Sequence, residues 1–233
     1  MSTIEQNLQA VRDSIAQAAA DAQRAPGDVT LLAVSKTFGA DAVLAAMRAG
    51  QTAFGENYLQ EALDKIAAVK LALPQAGPAW HFIGPIQSNK TRPIAEHFGW
   101  VHTVEREKIA VRLSEQRPDG LPDLNICLQV NISGEASKSG VTPAELPALA
   151  HAVAQLPRLR LRGLMAIPEP ETDVKRQRFA FAQVRTLYEQ LKADGLALDT
   201  LSMGMSADLR AAVLEGATIV RVGSAIFGSR NYS

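Results

Sequence analysis

Short apolar runs alternate with longer segments of helical period along most of the chain. The leading stretch, MSTIEQNLQAVRDSIAQAAADAQRA, repeats its apolar positions at three- and four-residue spacing and reads as a helix. Eight runs then read as strands: LLAVS (31–35), TAFG (52–55), WHFIG (80–84), WVHTV (100–104), NICLQV (125–130), LRLRGLM (159–165), TLSMG (200–204) and TIVRVG (218–223). Most are nearly continuous in apolar residues, the pattern of parallel strands covered on both faces. The segments between them, 41–49, 58–69, 89–97, 105–115, 143–155, 173–193 and 207–214, read as helices, usually opened by a cap-like residue or a proline. Eight βα repeats behind an extra N-terminal helix predict an α/β chain folded as a (β/α)8 TIM barrel. A doubly wound open sheet has the same one-dimensional pattern, and the count of eight favours the barrel. No linker, charge block or low-complexity tract divides the chain, so residues 1–233 read as one domain, with ALPQAGPAW and IPEPET as loops within it.

Charge narrows the choice of partners. Twenty-four Lys and Arg residues balance twenty-four Asp and Glu residues. That removes the electrostatic case for nucleic acid or an anionic membrane and leaves a small molecule as the default partner. The single cysteine, Cys127, lies in the apolar run ICLQV, which suits a reducing compartment. The leading segment is charged throughout and lacks the apolar centre of a signal peptide. No apolar run approaches the ~20 residues of a membrane-spanning helix. The expectation is a cytoplasmic protein.

Active sites of parallel α/β folds gather at the carboxyl ends of the strands, and Lys36 stands at one such end. Alternation puts it on the face of Leu32 and Val34, opposite Leu31, Ala33 and Ser35. If that face is the barrel interior, partial desolvation favours the neutral amine, a nucleophile for an aldehyde. The plainer reading is a lysine reaching out to water. SMGMSADL (202–209) and RVGSAIFGSR (221–230) follow the seventh and eighth strands, where barrels commonly bind phosphate. Gly223 and Ser224 are the strongest candidates there, through close backbone approach and a helix N-terminus, with Ser202 and Ser206 as hydroxyl donors. Arg221 interrupts TIVRVG where an aliphatic residue is expected. It requires an acceptor, either a neutral heteroaromatic nitrogen or a carboxylate such as Glu56. His81, His97, His102 and His151 include no pair at helical ligand spacing, so no metal is expected.

An aldehyde-reactive lysine, a phosphate cup and an arginine for a ring nitrogen together describe pyridoxal 5′-phosphate (PLP). The motifs AVSKTF, FGENYLQEALDK, WHFIGPIQSNK, SGEASKSG, MGMSADL and VRVGSAIFGSR run in order across nearly the whole chain. Together they resemble the pyridoxal phosphate homeostasis protein family. The resemblance implies a barrel like the N-terminal domain of alanine racemase, with PLP held covalently as an internal aldimine on Lys36. It implies Ser202, Met203, Gly204, Ser206, Gly223 and Ser224 around the phosphate, Arg221 facing the pyridine nitrogen and Asn57 near the ring. His81 reads as a packed strand residue. Some relatives carry a lysine two positions after the PLP lysine, where this chain has Phe38.

The resemblance also implies PLP balance rather than turnover: storage, shielding or delivery of the cofactor, with PLP-dependent apo-enzymes as recipients. The residues agree with that. An arginine beside the ring nitrogen keeps it unprotonated and makes the electron sink shallow. A racemase also needs a second base, and Tyr58, Tyr188 and Tyr232 offer no evident one; nor does the chain leave room after Ser224 for the second domain of an alanine racemase. No catalytic residue is therefore expected, and a minimal PLP-dependent amino-acid racemase is the rival reading. Without a swapped second domain a monomer is expected. Lys138, in the long loop NISGEASKSGVTP, is a candidate for holding PLP transiently during handover.

Overall fold

A computed structural model describes residues 2–75, 77–134 and 139–228 of the chain. Eight parallel strands close into a barrel in sequence order, with β8 returning to pair with β1. They are β1 (Thr30–Val34), β2 (Ala53–Glu56), β3 (Ala79–Phe82), β4 (Trp100–Val104), β5 (Leu124–Gln129), β6 (Leu159–Met165), β7 (Thr200–Ser202) and β8 (Ile219–Val222). Around them lie α2 (Ala40–Arg48), α3 (Leu59–Ala72), α4 (Thr91–His97), α5 (Glu107–Gln116), α6 (Leu146–Ala154), α7 (Val174–Ala193) and α8 (Leu209–Leu214). The leading helix α1 (Thr3–Asp21) precedes β1, and a single turn, α9 (Ser224–Phe227), follows β8.

The strands carry two cores on their two faces, as the alternation of side chains requires. Leu32 and Val34 point inward and pack with Ala53, Ile83 and Ile219. Leu31 and Ala33 point outward into the larger core shared with the helices. Near the strands' amino ends the interior is plugged by Trp100, with the Arg162 guanidinium 4.6 Å from its ring centre. Arg162 is held there by Asp199, at 2.8 Å, and by the Asn125 carboxamide oxygen, also at 2.8 Å. That closure leaves the carboxyl-end mouth as the open end.

The extra helix braces this mouth. Ser2 and Glu5 form a capping box that satisfies orphan amides at its start. Leu8, Val11, Ile15, Ala18 and Ala19, at three- and four-residue spacing, bury one face. The Asn7 Nδ2 then donates to the Ile226 carbonyl at 2.9 Å, fastening α1 to the turn after β8.

Many element ends differ from the sequence pattern, by up to four residues, for local reasons. β7 was expected to reach residue 204, but it stops at Ser202. Gly204, at φ 97°, turns the chain there. α8 was expected from residue 207 and starts at Leu209, because Met205 to Asp208 form a separate turn closed by the Asp208 N–H to the Met205 carbonyl at 3.2 Å. No described helix is long and apolar enough to cross a membrane.

Gly163 in β6 pairs with Thr200, and a Cβ there would enter the van der Waals shell of the Thr200 carbonyl oxygen. Gly163→Ala is expected to cost about 3 kcal/mol or more in urea unfolding by forcing β6 and β7 apart. Gly99→Ala, whose Cβ would meet only Trp80 O at 4.0 Å, is expected to stay within about 1 kcal/mol of the parent.

Candidate functional site

A cavity of about 330 Å³ opens at the carboxyl ends of the strands. Its polar lining is Lys36, Asn57, Ser206, Arg221 and Ser224, with Gly223 between the last two. Val34, Ile83, Ile167 and Met205 supply apolar walls, and Phe38 closes one side. The Phe38 ring packs on Phe227 with centroids 5.2 Å apart, so at this position the chain has a wall in place of a second amine.

β1 ends at Val34, and Lys36 begins the turn beyond it, half-buried and on the inward side that alternation assigns to it. β2 ends at Glu56 and delivers Asn57 to the cavity. Among the described residues the buried Asn57 Oδ1 has no hydrogen-bond partner, an unmet demand at the cavity wall. β8 supplies Arg221 from below. Its turn then presents Gly223 and Ser224, and the first amides of α9 have no acceptor within so short a helix. On the facing side, the Met205 N–H donates to Asp208 Oδ1 at 2.6 Å, closing the turn that exposes Ser206.

Arg221 is only 4% exposed. Its Nη1 donates to Ser202 Oγ at 2.8 Å and its Nη2 to the Ala166 carbonyl at 3.0 Å. Burial lowers its pKa to about 10, opposed by the Asp208 carboxylate, so it is a cation at neutral pH. Glu56, weighed from the sequence as its partner, is corrected by the structure. Strand alternation sends that carboxylate outward, where it pairs with Lys65 at 2.6 Å.

Below Arg221 runs a polar chain that sequence reasoning missed. His102 Nδ1 lies 2.7 Å from Ser202 Oγ, and His102 Nε2 lies 2.9 Å from His81 Nδ1. Arginine can only donate, so Ser202 accepts from it. The hydroxyl proton then needs an acceptor, and His102 Nδ1 is the one within reach. His102 therefore carries its proton on Nε2 and donates to His81 Nδ1, which leaves the His81 proton on its own Nε2. Both rings stay neutral. Burial lowers the pKa of His81 to about 3, and burial plus the nearby His81 and Arg221 hold His102 well below 6.5. His81 also stacks on Trp100 at 5.1 Å and 5°, a packed strand residue as expected. The signal for this chain was three polar residues at inward strand positions, of which the sequence reading linked none to Arg221.

The structure thus brings Lys36, Asn57, Ser206, Arg221, Gly223 and Ser224 to one cavity. Ser202, Met203 and Gly204 do not line it. Ser202 is fully buried beneath Arg221, and Met203, one residue on, faces outward into the helix-packed core. Gly204 serves the backbone: its carbonyl accepts the Arg221 N–H at 2.9 Å, and a Cβ there would sit 2.5 Å from that of Ala212. Lys138 and Tyr232 lie outside the described residues. No group of His, Cys, Asp or Glu among the described residues could hold a metal ion. Chemically, the cavity offers an amine, a fixed cation that only donates hydrogen bonds, and two small-residue turns able to bind an anion.

The model of the alanine racemase N-terminal domain matches residues 6–231. A pyridoxal phosphate homeostasis protein of Pseudomonas aeruginosa is 63% identical over 100% of this chain and 98% of its own length. Among solved structures, PipY of Synechococcus elongatus, determined with PLP bound, is 38% identical, with a TM-score of 0.84 over 97% of this chain and 100% of its own. Alanine racemase of Corynebacterium glutamicum shares the fold at 19% identity and a TM-score of 0.67, over 99% of this chain and 61% of its own.

The neutral histidine pair predicts an acid limit to stability. In the unfolded chain each imidazole takes up a proton below about pH 6.5, whereas the buried pair does not. Stability is therefore complete above 6.5 and falls as pH drops towards the depressed folded values, by up to about 2.7 kcal/mol per pH unit when both unfolded rings are charged. Urea unfolding between pH 7.5 and 5.5 checks this. His81→Asn keeps an acceptor for His102 and is expected to roughly halve the histidine part of the slope; an unchanged slope contradicts the assignment.

Proposed function

The chain belongs to the pyridoxal phosphate homeostasis protein family, and on that premise we propose that it binds PLP covalently through Lys36 and stores, shields or delivers the cofactor. The observation that carries this reading is the convergence of the Lys36 amine, the Arg221 guanidinium and the Ser206 and Ser224 turns on one cavity.

The residues fit the group. Lys36 would hold the aldehyde carbon. Ser206, Ser224 and the free amides at the start of α9 would hold the phosphate. Arg221 would face the pyridine nitrogen, and Asn57 Oδ1, which has no partner among the described residues and can only accept, would take a hydrogen bond from a donor on the ring side of the cavity. When bound, the cofactor supplies an electron sink for bonds to an amino acid's α-carbon. Arg221 limits that sink, because a buried permanent cation favours the unprotonated nitrogen.

The cavity's proton chemistry supports holding rather than turnover. Lys36 and Arg221 are the titratable groups among its described lining residues. Tyr58 is 53% exposed and outside the lining. The Tyr188 hydroxyl donates to the Leu198 carbonyl at 3.0 Å, and its pKa is raised to about 12 by burial. Neither is set to exchange a proton across a bound ring. Recipients would be PLP-dependent apo-enzymes, in a reducing cytoplasm suited to the buried thiol of Cys127.

The purified protein is expected to absorb in the violet, and borohydride reduction followed by peptide mass spectrometry should find the cofactor on Lys36. Lys36→Ala should lose the absorbance and release the cofactor on dialysis. Undiminished colour and retention in Lys36→Ala would refute the covalent reading. Deuterium exchange at amino-acid α-carbons at an enzymatic rate would make the protein an enzyme instead.

A further inference from the structure

The Lys36 turn is held from outside the barrel by a buried ion cluster. Lys65, on α3, is 4% exposed. Its Nζ donates to the Ser35 carbonyl at 2.8 Å, to Glu56 Oε1 at 2.6 Å and to Glu61 Oε1 at 3.0 Å. Glu56 Oε1 also accepts the Ser35 hydroxyl at 2.5 Å, and Glu61 Oε1 accepts the Thr37 N–H at 2.6 Å. Ser35 and Thr37 are the two neighbours of Lys36. One cluster thus grips the backbone on both sides of that residue.

The grip is applied where the chain resists. Thr37 has φ 69°, a conformation that a β-branched residue rarely adopts and that persists only when its surroundings impose it. The cluster itself is costly. Glu56 is fully buried, one of its carboxylate oxygens has no partner among the described residues, and burial raises its pKa against the pull of Lys65 and Ser35. Replacing a buried ion pair by apolar residues of similar volume is often neutral or stabilising, so its charges are a weak source of packing stability. Simple packing therefore does not account for these residues, whereas control of the adjoining turn does.

We propose that Lys65, Glu56 and Glu61 form a positioning clamp that fixes the Lys36 turn and thereby sets how firmly Lys36 retains a cofactor aldehyde. None of the three lines the cavity, so they act through Lys36 and not by contact. The inference rests on the proposed role of Lys36 as covalent anchor.

The test follows PLP release from the loaded full-length protein into excess hydroxylamine, alongside its visible absorption maximum and the melting temperature of the PLP-free form. Glu61, with 34% of its side chain exposed, can be changed without leaving a buried charge unpaired in the core. Glu61→Ala is expected to speed release about tenfold and shift the absorption maximum, with the melting temperature nearly unchanged. Glu61→Gln keeps an oxygen for the Thr37 N–H and should recover most of the parent's retention. Lys65→Met strands the Glu56 carboxylate, so the pair Glu56→Gln/Lys65→Met, which removes both charges, is measured instead and should also release faster. Absence of violet absorbance in the parent would defeat the anchor reading. A parent that binds, with Glu61→Ala and the double variant both releasing within twofold of it, would overturn the clamp, as would equal acceleration in Glu61→Gln and Glu61→Ala.

Discussion

Arg221 is a permanent cation almost wholly buried inside the barrel, and no carboxylate among the described residues pairs with it. A charge in that position is tolerable only if dipoles and hydrogen-bond acceptors surround it. The Ala166 carbonyl and the Ser202 hydroxyl meet that demand directly. His102 and His81 extend it towards the barrel floor through a run of hydrogen bonds whose proposed proton order is compatible with an arginine that only donates. The guanidinium in turn helps keep His102 neutral. The interior polar layer is thus a single hydrogen-bonded stack running from Arg221 through Ser202 and His102 to His81.

A second polar cluster lies on the opposite face of the strands. Lys65 and Glu56 occupy the barrel–helix layer, where α3 packs, and act on the β1 turn. The two clusters share no hydrogen bond, yet one orients Arg221 and the other shapes the backbone of Lys36, and both side chains line the same cavity. Strand alternation makes this possible: Glu56 faces outward while its neighbour Asn57 reaches the cavity, and Ser202 faces inward while Met203 faces outward. The site is therefore supported from inside and outside the sheet at once.

What the sequence made legible follows the same division. The strand count, the leading helix and the inward side of Lys36 all rest on local periodicity, and the closed barrel agrees with each. Element ends were less legible, because Gly204 and the Met205–Asp208 turn fix them through backbone geometry. The partner of Arg221 was not legible at all. Glu56 was close in strand order, but its side chain faces the other layer, and the true partner, Ser202, was read as a phosphate donor. His102 and Lys65 escaped because their roles depend on contacts at separations of 100 and 30 residues.

Fold alone does not choose between carrier and enzyme, since the same barrel serves alanine racemase at 19% identity. The choice lies in the site. An enzyme acting at an amino acid's α-carbon needs a deep electron sink, or bases on both faces of the ring. On the proposed reading Arg221 works against the first, and Lys36 is the one amine in the cavity's described lining. On the proposed reading, the demand on Lys36 is then retention balanced against release. Its firmness would be set through the backbone of its own turn, beside a mouth where Ile167 and Met205 are exposed to solvent.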